Sequence, residues 1–161
     1  MMGCDIHCYV EKRDENGKWE LELGWRSDHY DQGHAYFGTE EFRTEAAAPI
    51  DARNYDMFGF LAGVRGGTTP ALYWLGECGD ASSYDEAQRG VPEDAGVHTR
   101  RVIYDDDYHS HSWLTLGELR QAWTAAQLAG ETEWFDLTDC IQQLEERGGD
   151  DDIRIVFAFD N

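Results

Sequence analysis

The segment Ile153-Arg154-Ile155-Val156-Phe157-Ala158-Phe159 constrains this chain more than any other. All but Arg154 are apolar, over a length that suits a strand, and so apolar a strand belongs inside a sheet. The first residues supply a match. In a strand, residues two apart share a face, so Cys4, Ile6, Cys8 and Val10 form an apolar side. Asp5, His7, Tyr9 and Glu11 form the other, and such a row is costly to bury without partners. Residues 4–10 and 153–159 are the two most apolar strand candidates, which predicts that they are neighbours in one sheet.

The rest of the chain fills in around that pair. Asn16-Gly17 reads as the turn of a hairpin joining 4–12 to 18–25. Residues 26–52 read as a long surface excursion with one short strand near 35–42. Asn54 can cap a helix over 54–64, with Phe58, Leu61 and Ala62 at helical spacing and Gly66-Gly67 as its stop. Residues 65–98 read as loop broken by a strand at 71–75, and 101–104 as a short strand. Thr115-Leu116-Gly117-Glu118 is a capping box opening a second helix. A third starts near Asp136, with Leu137, Cys140, Ile141 and Leu144 along one side. The expectation is one α+β domain over 1–161: a mixed or antiparallel sheet with the amino- and carboxy-terminal strands adjacent, and about three helices.

Charge and cysteines narrow the class. With 33 acids against 13 bases the net charge is −20, and only Lys12 and Lys18 are lysines. Such a surface repels nucleic acid and membranes at long range, so neither is expected as a partner. The acids gather in turns such as Asp105-Asp106-Asp107 and Asp150-Asp151-Asp152, which reads as solvated loop rather than the regular rows of a DNA mimic. No apolar run approaches the roughly 20 residues of a membrane span. Cys4, Cys8, Cys78 and Cys140 show no paired spacing; Cys4, Cys8 and Cys140 read as core residues, and a reducing cytoplasm as the compartment.

Two strings carry the chemistry: Gly3-Cys4-Asp5-Ile6-His7 and His109-Ser110-His111-Ser112-Trp113. If both are strands, Asp5 with His7 and His109 with His111 are two pairs at i, i+2. Facing one another they would make an acid–base site or a four-ligand metal site for Zn, Mn or Fe. The plain alternative is a hydrogen-bonded polar seam. Arg53, just before a helix cap, is a candidate anion site with Asn54, although a salt bridge to one of many acids would equally account for it. Trp113 reads as core or pocket wall.

No His-Glu-x-x-His, P-loop, dinucleotide or metallo-β-lactamase signature is present. Met2-Gly3-Cys4-Asp5-Ile6-His7, Arg53-Asn54-Tyr55-Asp56-Met57-Phe58, His109-Ser110-His111-Ser112-Trp113-Leu114-Thr115-Leu116 and the closing Arg154 to Asn161 stretch together resemble a family of small proteins. These occur in phages and in bacterial genomes carrying mobile elements, and the family has no established activity. The chain departs from its pattern at Gly90-Val91-Pro92-Glu93-Asp94-Ala95.

Three functional expectations follow. The first is a metal-assisted, phosphoesterase-like hydrolase of a small nucleotide-type molecule. Its catalytic residues would be His7, His109 and Arg53, its metal ligands Asp5, His7, His109 and His111, and its ligand contacts Arg53, Asn54 and Trp113. The second is a phage protein that sequesters a small host nucleotide signal without turnover. The third is an acidic interaction protein or DNA mimic.

Overall fold

The computed structural model describes residues 3–24, 50, 53–79 and 87–160. Strands β1 (Asp5–Arg13), β2 (Trp19–Gly24), β3 (His109–Thr115) and β4 (Ile153–Asp160) form one antiparallel sheet in the order β2-β1-β4-β3. The amino- and carboxy-terminal strands are therefore adjacent, paired from Asp5↔Asp160 to Lys12↔Ile153. Among the described residues five helices accompany the sheet: α1 (Tyr55–Ala62), α2 (Ala71–Trp74), α3 (Val97–Ile103), α4 (Leu116–Leu128) and α5 (Thr138–Glu145). The architecture is α+β, with more helices than the three expected.

Both faces of the sheet are covered, which is why β4 is apolar nearly throughout. One face packs Cys4, Ile6, Cys8 and Val10 with Ile153, Ile155, Phe157 and Phe159 against residues of α1, α2, α4 and α5. On the other, Tyr9, Val156 and Ala158 meet Val102 and Ile103 of α3. Burial raises the thiols of Cys4, Cys8 and Cys140, the last to about 12, so they stay protonated in that core.

Several local readings need correction. Residues 71–74 form a single helical turn rather than a strand; Ala71 and Leu72 are buried by it, and no β-branched residue favours extension there. Helix α3 occupies 97–103, where a loop and a short strand were expected. Its Val102 and Ile103 fit a strand by composition, but they bury against the sheet at helical spacing, so tertiary packing overrides propensity. The first helix stops earlier than Gly66. Gly63 adopts φ 70°, a left-handed conformation that suits glycine, and its amide returns to the carbonyl of Gly59. The strand expected near 35–42 lies outside the described residues.

The capping box forms as expected. Thr115 accepts from the Glu118 amide at 3.1 Å, and the Glu118 carboxylate accepts from the Thr115 amide at 3.0 Å. Thr115→Ala should therefore lower stability by about 1 kcal/mol, the usual worth of such a cap, read from a urea midpoint with unchanged slope.

Candidate functional site

The side of the sheet that carries α3 holds two polar assemblies, one at each end. The first lies where β1 begins and β4 ends. Asp5 faces Asp160 across the ladder, and the Asp5 amide donates to Asp160 Oδ1 at 3.1 Å. The other carboxylate oxygen, Asp160 Oδ2, is 2.7 Å from His7 Nε2. Arg53 closes on Asp5 in a two-pronged pair, both bonds 2.8 Å. A side chain on Gly3 would collide with this guanidinium, since a Cβ built there lies 2.2 Å from Arg53 Nη1. Asn54 accepts from the Met57 amide as the cap of α1 and donates to the Trp134 carbonyl, while Tyr55 Oη accepts from the Cys4 amide. The strings around Gly3 and Arg53 thus act together, pinning the start of β1 to the start of α1.

His7 is buried. Desolvation lowers its pKa below the ordinary histidine value, with Asp160 partly opposing the shift. A neutral ring that donates through Nε2 leaves Nδ1 as an acceptor. The Tyr108 ring stacks on His7 at 4.1 Å with 17° between planes, and Tyr108 Oη lies 3.1 Å from Nδ1. Stacking at that angle places the hydroxyl above the imidazole rather than along the in-plane lone pair of Nδ1. Proton transfer between them would require one ring to turn.

The depressed pKa has a signed consequence. The unfolded chain binds the His7 proton more readily, so this group favours the fold above about pH 6.5 and loses that contribution as pH falls toward its folded value. Wild type should lose stability relative to His7→Gln by up to about 1.4 kcal/mol per pH unit below that point. Urea titrations of both proteins at pH 5, 6 and 7 would read it; a pH-independent difference contradicts a desolvated, neutral His7.

The second histidine string does not join this assembly as expected. Ser110 has φ 57°, and the β3–β4 register slips there: His109 pairs with Phe159 and Ser112 with Phe157, so three steps on β3 match two on β4. This bulge breaks the i, i+2 relation. His109 turns toward Phe159, whose ring is 6.5 Å away, and its Nδ1 meets Ser110 Oγ at 2.8 Å. His111 takes the opposite face and donates from Nε2 to the Ile103 carbonyl at 2.8 Å. His7 and His109 stand on strands two apart, roughly 9–10 Å between backbones, and on opposite sides of the sheet.

The expected metal ligands Asp5, His7, His109 and His111 consequently do not converge. Asp5 is held by Arg53, His7 by Asp160, and His111 by a backbone carbonyl. Among the described residues no group of three or more His, Cys, Asp or Glu is placed to hold a metal ion. The residues present do not fit Zn, Mn or Fe at this place.

At the other end of β4, about 20 Å from Asp160 at ~3.3 Å per residue, lies an assembly that sequence reasoning passed over. Glu11 and Arg154 pair across β1 and β4, with side chains 0% and 2% exposed. Arg154 Nε donates to Glu11 Oε1 at 2.8 Å, and Nη1 to Asp94 at 2.8 Å. Glu11 Oε2 accepts from the Gly96 amide at 2.6 Å and the Thr99 hydroxyl at 2.9 Å, so this carboxylate also anchors the start of α3. Arginine and tryptophan then alternate through β1, β2, β4 and β3 to Arg89, which lies outside the strands. Arg13 lies over Trp19 at 5.6 Å, Arg154 over Trp19 at 4.0 Å and Trp113 at 5.5 Å, and Arg89 over Trp113 at 4.5 Å.

This ladder walls a cavity of about 700 Å³, within the range of small-molecule sites. Val91, Pro92 and Thr115 complete its apolar and hydroxyl surface, and Glu93, Asp94 and Asp151 its acidic one. Of the ligand contacts expected from sequence, Trp113 lines it, whereas Arg53 and Asn54 belong to the distant seam. The missed signal was present in the strands themselves: Arg154 is the one charged residue in the apolar run 153–159, and Glu11 shares its face with Tyr9.

Comparisons of the chain with models of protein families, with curated proteins and with solved structures found no match. No helix among the described residues is long and apolar enough to cross a membrane.

Proposed function

We propose that the chain binds a small nucleotide-type molecule in the Arg–Trp cavity and holds it without turnover. The observation that carries this reading is the cavity's wall: two indoles and three guanidinium groups around a space of ligand size. Aromatic and guanidinium planes are the surfaces on which nucleobases are commonly held. The same wall is poor in reaction chemistry. Among the described residues no His, Cys, Lys or Tyr lines it, so it offers no group poised near neutral pH for proton transfer, and arginines stay protonated.

A hydrolase working at His7 is the second reading, favoured by one observation: a buried imidazole oriented by Asp160 beside Tyr108 and the half-exposed Arg53. With no converging metal ligands among the described residues, such an enzyme would depend on His7 and Tyr108 for proton transfer and on Arg53 for an anionic group. One experiment separates the two. The protein is incubated with the four ribonucleosides and their 5′-phosphates, freed of unbound material by gel filtration, denatured, and the released molecules are identified by mass spectrometry. Intact ligand recovered in stoichiometric amount supports sequestration. Consumption of one compound with new products overturns it in favour of the hydrolase.

A further inference from the structure

The cavity's charges argue for a narrower ligand than any nucleotide, and this inference rests on the binding reading above. We infer that the cavity recognises the uncharged base edge of a nucleoside carrying an exocyclic amino group, and gains nothing from phosphate. The arginines that would ordinarily receive phosphate are already committed. Arg89 reaches Glu77 through Nε and Nη2, Glu118 through Nη1 and Nη2, and the Trp113 carbonyl through Nη1. Arg154 is hydrogen-bonded to Glu11 through Nε and to Asp94 through Nη1, and its Nη2, which makes no hydrogen bond among the described residues, is buried 2.7 Å from Glu11 Oε1. Arg13 is paired with Asp152 at 2.9 Å. A phosphate would have to displace carboxylates from these pairs on a chain of net charge −20, against the local and the overall field.

Two acceptors in the same wall are uncommitted. The side chains of Glu93 and Asp151 have no hydrogen-bond or ion-pair partner among the described residues; the one bond Glu93 makes is from its backbone carbonyl, which accepts from Arg100. Carboxylates accept from exocyclic amino groups, as they do from cytosine in nucleic-acid recognition. The Thr115 hydroxyl and the indole walls complete a surface for a planar, neutral molecule with N–H donors along one edge. Such a site discriminates by its unmet acceptors: these carboxylates are hydrated in the free protein, and a ligand that covers them without an amino group takes them out of water with no donor in return.

Calorimetric titration at fixed ionic strength tests this with adenosine, cytidine, guanosine and uridine, their 5′-triphosphates, and inorganic triphosphate alone. At least one amino-bearing nucleoside should bind tenfold or more tightly than uridine, its triphosphate should bind no better than the nucleoside, and inorganic triphosphate should not displace it. The double variant Glu93→Ala/Asp151→Ala, both sites exposed, removes both acceptors and should keep its unfolding midpoint and lose tenfold or more in affinity. Displacement by inorganic triphosphate, or triphosphates binding tenfold more tightly than nucleosides, overturns the base-edge inference and leaves the binding reading standing. Equal affinity for uridine, or an undiminished double variant, also overturns the inference alone. If none of the compounds binds, both fall.

Discussion

Arg154→Met is expected to lower stability by about 3–5 kcal/mol, the largest effect expected of any single substitution in this chain. The reason is the state of Glu11 once its partner is gone. Its side chain is fully buried, and the Gly96 amide and Thr99 hydroxyl alone would face a desolvated negative charge. The anchor at the start of α3 would weaken with the loss of this partner. Replacing both partners, as Glu11→Leu/Arg154→Met, should recover part of the loss, because two apolar side chains remove the uncompensated charge. Recovery stays incomplete, since the Gly96 amide and the Thr99 hydroxyl lose their acceptor. Urea unfolding of the two variants would check this. A single variant within about 1 kcal/mol of wild type would contradict a buried, obligatory pair.

The second large effect concerns His7. His7→Ala should cost about 2–4 kcal/mol through the lost bond to Asp160 and the lost stack with Tyr108. It should leave affinity at the Arg–Trp cavity within twofold of wild type, because the two assemblies lie at opposite ends of β4. Stability from denaturant unfolding and affinity from calorimetry give independent readouts. A near-native fold combined with lost turnover of a nucleotide would instead assign His7 to catalysis and displace the sequestration reading.

The framework was legible because periodicity and turn chemistry act locally. The alternation of Cys4 to Glu11, the apolar run at 153–159, the Asn54 cap and the Thr115–Glu118 box each set their element with little help from tertiary contacts. Adjacency of the terminal strands followed from their apolarity. That same adjacency places Asp160 beside Asp5 in antiparallel register, so the partner of His7 could have been found by aligning the two strand ends. Helix α3 could not be found that way. Its sequence, Val97 to Ile103, is rich in β-branched residues and lacks a side-chain cap; its start is anchored instead by Glu11, 85 positions away.

The second histidine pair failed for a reason invisible to spacing rules. A single left-handed residue, Ser110, turns i, i+2 neighbours to opposite faces, and non-glycine residues seldom adopt that conformation. The motif His109-Ser110-His111-Ser112-Trp113 nevertheless has a clear structural use. Its histidines secure the bulge and the end of α3. Ser112 Oγ accepts from the Arg89 amide, and Trp113 holds Arg89 and Arg154 in the ladder. What read as a catalytic string from sequence positions the cavity wall.

The sharpest check on the cavity assignment is to follow the indole N–H signals of the ¹⁵N-labelled protein by NMR while a mixture of the four ribonucleosides and their 5′-monophosphates is added. The Trp19 and Trp113 signals should move and saturate together, while those of Trp74, Trp123 and Trp134 stay in place. Unmoved Trp19 and Trp113 signals would contradict a ligand held in the Arg–Trp cavity.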